Sequence, residues 1–232
     1  MAVNTQNRQT VAQLVVRALV APLLLFVMIF LAAGRLDYWQ GWLYLILNVA
    51  VLAVMGGLSS RNPQLIQERL KPGEGMKGWD RVYFALSTPL YFVALVVGAL
   101  DTGRLGWSSE WPPSTYVLVV AVYLLGQAIF IWARTTNAYF SSVVRIQTER
   151  GQTVCREGPY RFVRHPGYVG GILFGLAGPM LLGSMWAVIP QAVAAILIVW
   201  RTHMEDRTLQ AELPGYAEYT REVKYRLLPG VW

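Results

Sequence analysis

The chain has 232 residues, of which 55% are hydrophobic and only 14% are charged. A soluble domain usually has about a quarter of its residues charged, so this composition excludes an ordinary soluble protein and predicts an all-α integral membrane protein. The formal net charge of +7 does not require a nucleic-acid partner, because basic loops beside a membrane and their attraction to anionic lipid explain it.

Apolar stretches long enough to cross a bilayer predict the membrane spans. These stretches cover residues 14–34, 38–58, 82–100, 116–133 and 168–200. The last stretch is too long for one helix, and Gly183 and Ser184 at its middle predict a tight turn there. We therefore expect six transmembrane helices, of which the last two form a tight hairpin.

The distribution of basic residues predicts the orientation. Lys and Arg are concentrated in the loops 59–81 and 134–167 and in the C-terminal tail, whereas the opposite loops carry only Arg35 and Arg104. The positive-inside rule then predicts that both termini are cytoplasmic. The first apolar segment is expected to be a retained span rather than a removed signal, since no clear small-residue cleavage site follows it.

The loop between the second and third spans has a pattern of its own. Residues 61–81 predict a short helix lying in the membrane interface, ended by Pro72 and Gly73. These features together predict a multi-pass protein, of the inner (plasma) membrane if the source is bacterial.

The run RHPGYVG at residues 164–170 lies where a basic loop enters an apolar segment. Ionisable groups at a membrane edge are costly to hold there, so this cluster is a candidate site. With GPYRF at 158–162, the sequence RTHMED at 201–206 and YRLLPG at 225–230, it resembles the isoprenylcysteine carboxyl methyltransferase family of membrane methyltransferases. The resemblance is weak in the N-terminal half, where no functional motif is found.

The resemblance implies two regions with different roles. Residues 1–133 would form an N-terminal region of four spans with the basic loop 59–81. Residues 134–232 would form a cofactor-binding methyltransferase region with two spans and a cytosolic tail. The cofactor would be S-adenosyl-L-methionine, held in a cytosol-facing pocket with a lateral opening to lipid. The implied reaction is methyl transfer to a lipophilic acceptor, with a carboxylate as the acceptor group, as in isoprenylcysteine carboxyl methylation.

The resemblance also implies roles for individual residues. The cofactor contacts would be Gln152, Thr153, Val154, Cys155, Tyr160, His165, Pro166, Gly167, Tyr168 and Glu205. Arg201 matches the arginine that holds the substrate carboxylate, which makes it the candidate substrate-binding and catalytic residue. It precedes Glu205 by one helical turn, so the two share a helix face.

Simpler interpretations apply to some of these residues. Arg201 could mark the cytoplasmic end of a span, and Glu205 could merely pair with it. Cys155 has no activating base beside it in sequence, so packing or a backbone contact is favoured over nucleophilic chemistry. Arg134 is interpreted as a snorkelling charge at the end of the fourth span. One Cys and two separated His do not supply a metal site, so none is expected.

Two other functions stay open from the sequence alone. Membrane sterol and steroid reductases resemble the C-terminal half in an Arg-His element before a span and in a similar tail. In that case NADPH would be the cofactor, and Arg161 or Arg164 could serve its phosphate. The third possibility is a non-enzymatic lipid-binding protein. The intact RHPGYVG run favours the methyltransferase, with a lipophilic acceptor and membrane lipids as its partners.

Overall fold

The computed structural model describes residues 19–60 and 75–232 and contains no strand among them. The helices are α1 (Leu19–Ala33), α2 (Trp39–Ser60), α3 (Gly78–Leu100), α4 (Pro113–Thr136), α5 (Pro166–Leu181), α6 (Val188–Glu212) and α7 (Tyr216–Glu222). The predicted all-α class is confirmed for this part of the chain. The start of the first predicted span and the predicted interfacial helix, which ends at Pro72 and Gly73, lie outside the described residues.

Within residues 19–60 and 75–232, three helices are long and apolar enough to cross a membrane, namely α2, α4 and α3 together with its π-helical extension Asp101–Leu105. Helices α1, as far as it is described, and α5 are apolar but shorter. Helix α6 begins apolar and then carries charged residues through its second half. These helices agree with a membrane protein, while the number of six spans stays a prediction.

The turn between α5 and α6 contains Gly183 and Ser184, where the sequence predicted it. Gly183 has φ +82°, a left-handed conformation that glycine adopts without strain. The buried hydroxyl of Ser184 donates to Asp101 at 2.6 Å and accepts from the Ala187 N–H at 3.1 Å. The hydroxyl of Ser108 donates to the same carboxylate. This cluster ties the α5–α6 turn to the end of α3.

Helices α4 and α5 lie in close backbone contact. A Cβ atom at Gly126 would come within 2.6 Å of the Phe174 nitrogen, and one at Gly170 within 2.5 Å of the Gly126 oxygen. Only glycine allows this approach, as is common where membrane helices pack on small residues. The contact brings the start of α5 beside the end of α4, so the loop 137–165 must fold back over that end of the bundle.

Candidate functional site

The loop 137–165, the ends of α5 and α6 and the C-terminal segment surround a partly open cavity, here called the loop pocket. Its enclosed space is about 100 Å³. All the cofactor residues predicted from the sequence line it except Pro166, which is buried as the first residue of α5. The lining set includes Asn137, Tyr139, Gln152, Thr153, Val154, Cys155, Tyr160, Arg164, His165, Gly167, Tyr168, Glu205, Leu209 and Tyr216. The fold thus brings together residues from distant parts of the sequence.

Arg164 is a structural residue of the site. Its Nε and Nη2 atoms donate to the two oxygens of Asp206 at 2.7 and 3.0 Å. Its Nη1 donates to the carbonyls of Val223 and Lys224, both at 2.8 Å. One guanidinium therefore joins the motif, α6 and the C-terminal tail.

The backbone of the motif is paired with the tail as well. The N–H of Arg164 donates to the Tyr225 carbonyl at 2.9 Å, and the N–H of His165 donates to the Arg226 carbonyl at 3.0 Å. These residues precede the first turn of α5, so the tail holds the start of that helix.

Asp206 is the centre of this network and is fully buried. Its carboxylate contacts the side chains of Arg164, His165, Gln210, Tyr216 and Arg226. Burial by itself would raise the pKa of Asp206, but hydrogen bonds from His165, Arg164 and Arg226 outweigh it and hold this pKa below its ordinary value. Asp206 is therefore an ionised scaffold residue whose oxygens are already occupied.

Glu205, the preceding residue, has a different environment. It is half-buried and lines the loop pocket, where the hydroxyl of Tyr168 donates to its carboxylate. The ring of Tyr168 stacks on that of His165, with centroids 5.7 Å apart and planes at 10°. Of the two adjacent acids, Glu205 is the one that a ligand in the pocket can reach.

The segment 152–155 lines the loop pocket. Gln152 fixes the segment, because its side-chain oxygen accepts from the Gln147 N–H at 2.7 Å and its own N–H donates to the Gln147 carbonyl at 3.3 Å. The N–H groups of Thr153, Val154 and Cys155 donate to no other described residue. Such groups need a partner, either water or a ligand. Burial raises the pKa of the Cys155 thiol, which agrees with a packing role rather than a nucleophilic one.

Arg201 does not line the loop pocket. Its Nε and Nη2 donate to the oxygens of Asp80 at 2.8 and 3.2 Å, and Nη2 also donates to the Ser142 carbonyl at 2.7 Å. Nη1 makes no hydrogen bond to the described residues. The planar fork expected to hold a substrate carboxylate is thus used on Asp80, and Glu205 is not the ion-pair partner of Arg201.

A second cavity, here called the inner cavity, lies among helices α2 to α6 and has a volume of about 290 Å³. Arg201 lines it, and the two cavities share Gly167 and Tyr168. The Tyr168 hydroxyl is bonded to Glu205, while the Arg201 guanidinium lies 5.4 Å from the Tyr168 ring centroid. Tyr168 therefore stands where a polar pocket meets a mostly apolar one.

Several residues of the site were missed by sequence reasoning. Asp80 is fully buried and accepts from Arg201 and from the Val144 N–H at 2.8 Å. Its arginine partner is 121 positions away, so no local pattern marks the pair. The tail sequence was noticed, but nothing in it indicated that Arg226 reaches Asp206.

Comparison with known proteins gives independent findings. Residues 117–211 match the model of the isoprenylcysteine carboxyl methyltransferase (ICMT) family. The chain is 28% identical over 131 residues to the cobalt-zinc-cadmium resistance protein CzcN of Cupriavidus metallidurans, covering 56% of each chain. It is 24% identical over 155 residues to the protein-S-isoprenylcysteine O-methyltransferase of Schizosaccharomyces pombe, covering 64% of this chain and 58% of that protein. It is also 24% identical over 171 residues to the uncharacterized protein YpbQ of Bacillus subtilis, covering 73% of this chain and 96% of YpbQ. The matched region thus spans less than two thirds of the first two relatives.

Proposed function

We propose that this chain transfers a methyl group from S-adenosylmethionine to a lipophilic acceptor at the membrane, because residues 117–211 match the model of the isoprenylcysteine carboxyl methyltransferase family. The observation that carries the proposal is the meeting of the two cavities at Gly167 and Tyr168. A polar cofactor in the loop pocket and an apolar acceptor in the inner cavity would approach each other there. Holding two reactants in line is the main contribution that a protein makes to such a transfer.

The donor set of the loop pocket fits S-adenosylmethionine. The cofactor has an amino acid end, ribose hydroxyls and an adenine ring. We assign the Glu205 carboxylate to the ammonium or the hydroxyls, and the N–H groups of 153–155 to acceptor atoms of the cofactor. The rings of Tyr160 and His165 offer aromatic surface, Gly167 makes room for the Phe140 ring beside the pocket, and Gln152 keeps the segment in place.

Bound S-adenosylmethionine supplies a sulfonium methyl group, whose transfer to a carboxylate yields a neutral ester and a thioether without moving a proton. The chain then needs to orient the acceptor and exclude water. Arg201 is suited to orient a carboxylate through Nη1, since Asp80 and Ser142 fix the other nitrogens. Arg201 would therefore make a single charged contact with the acceptor carboxylate.

The site is proposed to face the cytoplasm. The loop 134–167 carries six arginines, namely Arg134, Arg145, Arg150, Arg156, Arg161 and Arg164. Basic residues collect on the cytoplasmic side and attract anionic lipid. A cytoplasmic pocket would receive S-adenosylmethionine directly from solution, while the acceptor would arrive from the lipid.

A cofactor comparison tests the proposal. A ligand that binds only the folded protein raises its melting temperature by mass action. We expect S-adenosylhomocysteine to raise the melting temperature of the purified protein and NADPH to leave it unchanged. The reverse pattern would favour a membrane reductase, and indifference to both would favour a non-enzymatic lipid-binding protein.

A further inference from the structure

The inner cavity is lined by polar side chains that make few hydrogen bonds to the part of the chain that the structure describes. Gln127 on α4 and Gln191 on α6 are 8% and 9% exposed, line this cavity and make no hydrogen bond of normal geometry to the described residues. The Tyr123 hydroxyl, a neighbour of Gln127, is buried and also makes none. Three polar side chains from two helices therefore lie in one place, where Tyr123 and Gln127 are close enough to interact with each other and with a ligand.

Such groups destabilise the fold. A buried polar group without a partner costs free energy, and more so among apolar helices, where water is scarce. Replacing these residues by apolar ones of similar size would remove that cost. Polar residues kept inside apolar helices are for this reason candidates for function.

The space beside them is formed by glycines on one face of α5. A Cβ atom at Gly171 would meet no atom within 4 Å, so this glycine borders open space. A Cβ atom at Gly175 would come within 2.8 Å of the Gln191 Nε2, so this glycine makes room for the amide. Both residues line the inner cavity. The cavity is thus built by the sequence of α5 as well as by the polar residues opposite.

We propose that the inner cavity binds the apolar part of the methyl acceptor and that this part carries an uncharged oxygen, a hydroxyl or a carbonyl. Gln127, Gln191 and Tyr123 would bind that oxygen, because amides and a phenol supply donors and acceptors without charge. The identification of the occupant as the acceptor rests on the proposed methyl transfer. The selectivity of the cavity can be measured by binding alone.

The position of the oxygen follows from the helix. Tyr123 packs against Phe174, with ring centroids 6.4 Å apart. Phe174 is six residues beyond Tyr168, where the cavities meet, which corresponds to roughly 9 Å along α5. A plain hydrocarbon chain has no oxygen at that distance from its reacting end, so it would leave the three polar groups unpaired.

Matched fatty acids test this inference. The probes are ω-hydroxy fatty acids of increasing chain length and the plain fatty acids of equal length, measured by calorimetric titration of the purified protein in an uncharged detergent. At one chain length we expect the hydroxylated probe to bind about tenfold more tightly, as one additional hydrogen bond can provide. Equal affinity at every length would overturn the inference.

Variants locate the preference. Gln127→Met and Gln191→Met keep side-chain size and should abolish the preference while leaving the affinity for plain probes unchanged. Their melting temperatures should not fall, because an unpaired amide is removed. Gln40→Met is the control, since Gln40 lies outside the cavity, and it should keep the preference. If the Met variants keep the preference and melt at lower temperature, the glutamines are structural and the inference is wrong.

A cavity-filling variant separates this inference from the proposed function. Gly171→Leu should weaken the binding of both probes and leave S-adenosylhomocysteine affinity unchanged. Gly56→Leu on α2, where a side chain also meets open space, is the control and should alter neither. Binding of S-adenosylhomocysteine without any probe preference would overturn the inference alone. The opposite outcome is a wild-type protein that prefers the hydroxylated probe, loses this preference in Gly171→Leu and does not bind S-adenosylhomocysteine. It would support a selective cavity and overturn the proposed methyl transfer.

Discussion

At the scale of the residue, the two adjacent acids of α6 show how position on a helix divides roles. Successive residues are rotated by roughly 100°, so Glu205 and Asp206 contact different surroundings. Asp206 is fully buried among five side chains, whereas Glu205 lines the loop pocket. The first acid is available to a ligand, and the second holds the motif and the tail together.

Neutralising Glu205 should weaken cofactor binding without unfolding the protein. Glu205→Gln removes a charge-assisted contact worth about 1.5 to 3 kcal/mol. The affinity for S-adenosylhomocysteine, measured by calorimetry, should fall accordingly, while the melting temperature without ligand stays close to that of the wild type. Unchanged affinity would remove Glu205 from the proposed cofactor set.

Asp206→Asn should have the opposite profile. Removing one partner of a buried ionic network typically destabilises a protein by about 3 to 5 kcal/mol, so the melting temperature should fall clearly. The pKa of Asp206 is lowered in the fold, so its stabilisation is complete above the ordinary aspartate value of about 3.9 and is lost as the pH falls further. The difference in melting temperature between the wild type and Asp206→Asn should therefore become smaller at acidic pH. A variant as stable as the wild type at neutral pH would show that the network is dispensable.

At the scale of the element, α3, α6 and the loop 137–165 meet at Asp80. Its carboxylate holds Arg201 of α6 and the N–H of Val144 in the loop. Close by, Lys77 donates to both oxygens of Glu212 at 2.7 Å. The start of α3 thus positions the guanidinium that we assign to the acceptor.

Arg201→Lys should separate acceptor orientation from cofactor binding. Lysine keeps the charge but cannot bond to Asp80, Ser142 and a carboxylate with the same planar geometry. Turnover in a methyl-transfer assay should fall much more than the affinity for S-adenosylhomocysteine. Wild-type turnover would indicate that the acceptor makes no carboxylate contact, whereas loss of cofactor binding would assign Arg201 to the cofactor. Asp80→Asn changes the residue that positions Arg201 and leaves the guanidinium itself intact. It is expected to lower turnover in the same way.

The sequence predicted the apolar helices well, but it did not predict where a helix continues into charged residues. The stretches 38–58 and 116–133 lie within Trp39–Ser60 and Pro113–Thr136 almost completely, because apolar composition alone identifies such helices. The last apolar stretch ends at residue 200, yet α6 continues to Glu212 because distant partners neutralise its charges. The short helix α7 was not predicted, since it depends on burying Tyr216 and Tyr219 in a small separate cluster.

The same division applies to the site. The resemblance identified residues that line the loop pocket, because they lie in contiguous motifs. It could not identify Asp80, whose role depends on a contact between distant segments, or the inner cavity, which is lined by residues from five helices. It assigned Arg201 to a substrate carboxylate without indicating that Asp80 already accepts from the Nε and Nη2 of this arginine.

At the scale of the whole molecule, the two ends of the bundle differ in their content of basic residues. The α5–α6 turn lies at one end, and the loop pocket and tail lie at the other. Ser184 in the turn is fully buried and bonded to Asp101, so it is unsuitable for labelling. Met185 beside it is 54% exposed, and Ala217 on α7 is exposed at the other end.

Cysteine labelling tests the orientation. In a Cys155→Ser background, an impermeant thiol reagent added to intact cells should label Met185→Cys, but Ala217→Cys only after the membrane is opened. The positive-inside rule is the reason for this expectation. Labelling of both positions from one side would contradict the hairpin topology, and the reverse pattern would contradict the cytoplasmic site.

The pairing of the motif with the tail has a consequence for biosynthesis. Residues 164, 165 and 206 are translated before residues 225 and 226, whose backbone and side chain complete the network around Asp206. The N–H groups of residues 226 to 228 in turn donate to the Trp232 carbonyl. A nascent chain can therefore insert its helices while the start of α5 still lacks its backbone partners. The start of α5 would therefore gain its backbone partners, and Asp206 its contact with Arg226, only after residues 225 and 226 have been synthesised and folded back.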